Sequence, residues 1–116
     1  MSDLISKELL SLVLGIEVLH CCIECNHVVY EWNKPFPNKS YHHGDELNLD
    51  TLGRLCKEWC LKQRYSCKTW QRLGKTKKFV LQLHSHDECA YDTLGDTELE
   101  AIIKATEFIA KEKELI

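Results

Sequence analysis

The strongest constraint on the fold lies at residues 97–113. Thr97-Glu98-Leu99-Glu100 matches a capping box, in which a threonine hydroxyl and a glutamate three residues on satisfy backbone donors at a helix start. Behind it Leu99, Ile102, Ile103, Thr106, Ile109 and Ala110 recur at helical spacing, and Lys111 and Lys113 stand near the end, where they complement the dipole. The spacing predicts a helix from Glu98 to about Lys113. A stripe this wide needs an apolar surface to cover it, and the rest of the chain must provide one.

Two further helices are expected. Ser2 or Asp3 can cap a first one running to about Leu14, with Leu4, Ile5, Leu9, Leu12 and Val13 on one face and Gly15 as the stop. Asn48 or Asp50 opens another, in which Leu52, Leu55, Cys56, Trp59 and Gln63 mark the inner face, with Leu49 and Cys60 at its edges. Between and after these helices the pattern turns β-branched and aromatic. Residues 16–23 and 28–32, broken by Glu24-Cys25-Asn26-His27, read as a hairpin, and residues 66–72 and 78–85 around Gly74 read as a second. Phe79, Leu81 and Leu83 alternate with Val80, Gln82 and His84, so one side of that strand is for the core. The expected fold is α+β: an N-terminal helix, two ββα units, and a four-stranded antiparallel sheet with helices mainly on one face. With 116 residues, of which 44% are hydrophobic, the chain suits one domain spanning 1–116.

Residues 33–46 hold both prolines, the His42-His43 pair and Gly44, and read as a loop long enough to carry function. Tyr30, Trp32, Phe36 and Tyr41 cluster at its start and within it, beside His42 and His43. Aromatics supply large contact area at low entropy cost, so these six form the first candidate interaction surface, unless Tyr30 and Trp32 pack in the sheet.

The formal net charge is −3, which does not favour binding to a nucleic-acid duplex through the global field. Locally, Lys57, Lys62, Arg64, Lys68, Arg72, Lys75, Lys77 and Lys78 gather in mid-chain, interleaved with Trp59, Tyr65 and Trp70, and Lys68, Arg72, Lys75, Lys77 and Lys78 are the candidate contacts. That is the second candidate surface, for nucleic acid, set against the plainer reading of lysines at a hairpin tip. Seven cysteines without a secretory leader imply reduced thiols in a cytoplasm, mostly as small buried hydrophobes. No apolar run approaches the roughly 20 residues needed to span a bilayer. Cys22 and Cys25, with His84, His86 and Cys89, form the candidate metal set, although an unbroken strand would point Cys22 and Cys25 to opposite faces. No nucleophile elbow, phosphate loop, zincin motif or dinucleotide fingerprint is present, so neither an enzyme nor a cofactor is expected.

Three stretches carry a resemblance: Leu9-Leu10-Ser11-Leu12-Val13-Leu14-Gly15, the segment from Asn48 through Leu52-Gly53-Arg54-Leu55-Cys56-Lys57-Glu58-Trp59, and Glu100-Ala101-Ile102-Ile103-Lys104-Ala105-Thr106-Glu107. With them the chain resembles small, uncharacterised proteins encoded by bacteriophages and prophages. The resemblance covers about half the chain and carries over no functional residue. It implies a bacterial cytoplasm and, with catalytic motifs lacking, an accessory role in binding a host or viral protein, one version being an inhibitor of a host system. The alternative is a small nucleic-acid-binding or zinc-binding regulatory module.

Overall fold

The computed structural model describes residues 5–32, 45–71, 78–86 and 88–116. Among them the order is α1 (Lys7–Leu14), β1 (Val18–Glu24), β2 (His27–Trp32), β3 (Asp45–Asn48), α2 (Leu49–Lys62), β4 (Ser66–Gln71), β5 (Phe79–Ser85), β6 (Glu88–Gly95) and α3 (Glu98–Glu112).

Helix α1 starts at Lys7, later than the sequence suggests. Ser6 is its N-cap and accepts from the Leu9 amide at 3.2 Å, and Gly15 closes it in the left-handed region at φ 71°. Ser11 then ties the helix to the first strand, donating to the Lys7 carbonyl at 2.7 Å while accepting from the Val18 amide at 2.9 Å. Strands β1 and β2 form the expected hairpin. Its turn residues Cys25 and Asn26 both take positive φ, 44° and 64°, as a tight two-residue connection between twisted strands requires.

The expected single four-stranded sheet is corrected. Two separate three-stranded antiparallel sheets form, in the orders β1-β2-β3 and β4-β5-β6. Both additional strands lie where local propensity is weak. Asp45-Glu46-Leu47-Asn48 has almost no β-forming character, yet pairs along β2 from Tyr30–Asp45 to His27–Asn48, so an available sheet edge decides its conformation. Strand β6 mixes Glu88, Ala90, Asp92 and Gly95 into its run and is held by register with β5, from Ser85–Glu88 to Phe79–Gly95. A ββα reading that omits both strands merges what remains into one sheet.

Asn48 ends β3 and caps α2 in the same residue, accepting from the Asp50 amide at 2.8 Å. Thr97 caps α3, accepting from the Glu100 amide at 3.1 Å. The core gathers Leu9 and Leu10 of α1, Val18 and Val28 of the first sheet, Leu52, Cys56, Trp59 and Cys60 of α2, Leu81 and Leu83 of β5, and Ala101, Ile102, Ala105 and Ile109 of α3. Each large aliphatic side chain among these is worth about 1.5–3 kcal/mol on burial. Helix α3 lies on β5 and β6, where the Tyr91 and Phe108 rings stack at 4.1 Å.

Candidate functional site

Strand parity assigns the two faces of the second sheet. The rows Cys67–Leu83–Tyr91 and Thr69–Leu81–Thr93 belong to the face under α3. The rows Ser66–His84–Cys89, Lys68–Gln82–Asp92 and Trp70–Val80–Leu94 belong to the opposite, outer face. Along this face Trp70 is 41% exposed and Leu94 39%, and Ser66, Lys68, Cys89 and Asp92 are exposed as well.

The outer face has two unlike ends. At one, Trp70, Val80, Thr93 and Leu94, with Asp92, line an apolar hollow of about 380 Å³. At the other, an open cavity of about 580 Å³ lies between the end of α2, β4 and β5. Its lining carries Arg64, Lys68, His84 and His86 with the hydroxyls of Tyr65 and Ser66, and Leu61 forms an apolar lip that is 60% exposed. No carboxylate lines it among the described residues. Two of its residues hold left-handed backbone without being glycine: Arg64 at φ 70° and His86 at φ 53°. Nε2 of His84 lies 3.2 Å from Oε1 of Gln82, which orients the imidazole along the face. Acidic charge sits on the far strand, where β6 carries the exposed Asp92 on this face.

A third hollow, about 390 Å³, lies between α2 and α3 beside Asp50, Arg54, Lys57 and Glu98. Its charges answer each other, with Lys57 and Glu98 3.5 Å apart. That leaves little field for a ligand.

Of the seven thiols two are buried. Cys56 and Cys60 are fully buried beside Thr106, whose hydroxyl donates to the Ile102 carbonyl at 2.8 Å and lies 3.6 Å from the Cys60 sulfur. Burial, opposed by the Thr106 hydrogen bond, pushes the Cys56 thiol up to about 12. The neighbouring Cys67 and burial raise Cys60, while Cys60 and then the Lys57 ammonium favour the thiolate of Cys67 and lower it. Cys56 and Cys60 therefore stay protonated and pack as small hydrophobes. The expectation that most of the cysteines are buried is corrected, since Cys21, Cys22 and Cys67 are half-buried on strands with one side open and Cys25 and Cys89 are exposed.

The candidate metal set is scattered. Cys22 is on β1 and Cys25 in the β1–β2 turn, whereas His84, His86 and Cys89 belong to the second sheet, with His84 opposite Cys89. Among the described residues no three His, Cys, Asp or Glu side chains are placed to hold a metal ion together. Of the aromatic set, Tyr30 is half-buried against the core and Trp32 half-buried at the end of β2, opposite Val18. Phe36, Tyr41, His42 and His43 lie outside the described residues, as do Arg72, Lys75 and Lys77 of the basic set. Lys78 is paired with Asp96 at 3.6 Å, which leaves Lys68 in the cavity just described. Trp59, interleaved with the lysines in sequence, is core, while Trp70 is surface. Leu94 is a site residue that the sequence does not mark, whereas Arg64 stands in the basic run read from the sequence, directly before the Ser66, Lys68, Trp70 alternation.

No known protein family, curated protein or solved structure matches the chain. No helix among the described residues is long and apolar enough to cross a membrane.

Proposed function

We propose that the chain is a small non-catalytic accessory protein of the phage or prophage type, acting in a bacterial cytoplasm by binding a host or viral macromolecule. The docking surface is the outer face of the second sheet. One observation carries this reading: Trp70 and Leu94 stand exposed at the two ends of one cross-strand row, either side of Val80, on a face whose other side α3 already covers. Exposed apolar groups grouped on a face mark interaction sites more often than single scattered ones do, and tryptophan is the residue most enriched at energetic hot spots. The polar residues around it, Lys68, Gln82 and Asp92, supply the rim that such surfaces carry.

Site-specific photo-crosslinking tests the reading. A benzophenone amino acid is placed at Trp70 and, in a second variant, at Leu19, which is 52% exposed on β1 of the other sheet. A recurrent macromolecular adduct in bacterial cells from position 70, and none from position 19, is the expected result. Adducts from position 19 alone, or from neither, would remove the outer face as the docking surface.

A further inference from the structure

We infer that the occupant of this face is a single-stranded nucleic acid lying along β4, with its phosphates on Arg64 and Lys68 and a base stacked on Trp70. The inference rests on the docking reading above and names its partner.

Charge decides the chemistry first. The cavity beside β4 gathers a guanidinium, an ammonium and two imidazoles with no lining carboxylate among the described residues, on a chain whose net charge is −3. A local cationic strip on an acidic molecule attracts an anion to one place and repels it elsewhere. The path follows from the same map. On this face Asp92 stands on the β6 side, so a polyanion crossing the sheet would meet it, whereas one running along β4 meets Arg64, Ser66, Lys68 and Trp70 in turn.

Spacing decides next. Alternate residues of a strand project from the same face roughly 7 Å apart, so the Lys68 ammonium and the Trp70 indole are set about one nucleotide step apart along an extended strand. A groove of cations with an aromatic platform is how single strands are held without base reading, because every base has a face to stack. A duplex is disfavoured: its bases are already stacked, and two cations are few for its phosphate density. An acidic peptide would satisfy Arg64 and Lys68 but would leave the Trp70 ring without a planar partner.

The test uses the full chain and fluorescein-labelled oligouridylate and oligothymidylate of roughly twelve nucleotides, within the range of one single-strand site. Binding is followed by anisotropy across a salt series. Two phosphate contacts predict a slope of log K on log salt of about −1.4, and Lys68→Gln should reduce it by about 0.7. Trp70→Ala should weaken binding roughly 5- to 160-fold, the worth of one base–aromatic stack. Both positions are exposed, and unchanged thermal melts establish that the variants fold. Three results would overturn the inference: no binding of either oligonucleotide at low salt, binding untouched by both substitutions, or a polyglutamate peptide competing as well as the oligonucleotide. If position 70 still crosslinks to a protein while the oligonucleotides fail, the nucleic acid is refuted and the docking face stands. If both fail, both readings fall.

Discussion

Gly95→Ala is the sharpest perturbation the fold offers. A Cβ on Gly95 would sit 2.7 Å from the Ala101 amide nitrogen, 2.9 Å from the Thr97 carbonyl oxygen and 3.2 Å from Ala101 Cα. Favourable carbon contacts begin near ~3.5 Å, so the methyl overlaps the first two atoms by about 0.6–0.8 Å. Those atoms are the two ends of one bond, since the Ala101 amide donates to the Thr97 carbonyl at 3.2 Å in the first turn of α3. On the other side Gly95 is held in register opposite Phe79. Neither side can yield without loosening the start of α3 or the end of β6. Gly95 does not have a left-handed backbone, so the cost comes from space alone.

Overpacking of this kind costs about 1–3 kcal/mol, and a disturbed cap at Thr97 adds about 1 kcal/mol. The smaller entropy of an unfolded alanine chain returns about 0.4–1 kcal/mol, leaving a net loss of about 1–3.6 kcal/mol. Unfolding entropy of about 2.1 cal/mol/K per residue gives about 0.24 kcal/mol/K for the whole chain, so the melting temperature should fall by about 4–15 °C. Far-UV circular dichroism melts measure this directly. A variant melting within about 2 °C of the parent would refute the close approach of β6 to α3, because a relaxed structure could then absorb the methyl at no cost.

Gly53→Ala should do the opposite. Its Cβ would meet only the Leu99 and Ile102 Cδ1 atoms, at 3.4 and 3.8 Å, and an alanine inside α2 gains about 0.5–1 kcal/mol over glycine, read as a raised urea midpoint. Cys56 predicts an alkaline transition. Its thiol is raised from 9.0 to about 12 in the folded state, so its contribution is fully present below pH 9 and is lost as pH rises through about 12. Three units amount to about 4 kcal/mol, and denaturation at stepped pH should show Cys56→Ala losing stability between pH 9 and 11 less steeply than the parent. Equal slopes would mean that the Cys56 sulfur is hydrated.

Helices were legible in the sequence because their signals are local. The Thr97 cap, the Asn48 cap and the Gly15 stop stand where the residues announce them, and the α3 stripe buries from Ile102 to Ala110. In α2 Leu52, Cys56 and Trp59 bury as read, while Leu55 and Gln63 stay half-buried and Cys60, read as an edge, is inside. Only the start of α1 shifted, from Ser2 or Asp3 to Ser6, and serine caps at either position look alike in sequence. Strands depend on partners far along the chain. Nothing within Asp45-Glu46-Leu47-Asn48 asks for an extended conformation; the edge of β2 does. Missing β3 and β6 is what turned two sheets into one. The candidate site was half legible. Arg64, Lys68 and Trp70 stand in one basic, aromatic stretch, but joining them to His84 and His86 requires the β4–β5 register, which brings Ser66 opposite His84 across eighteen residues of chain.

Arg64 has a further consequence. A side chain at φ 70° costs about 1–2 kcal/mol that glycine would not, and the freer unfolded chain of a glycine variant returns only part of that. Arg64→Gly should therefore toughen the fold by about 0.5–1 kcal/mol while stripping the cavity of its guanidinium. Selecting this protein for heat resistance alone would tend to discard the residue, and variants hardened in that way should be the poorest at holding an anion.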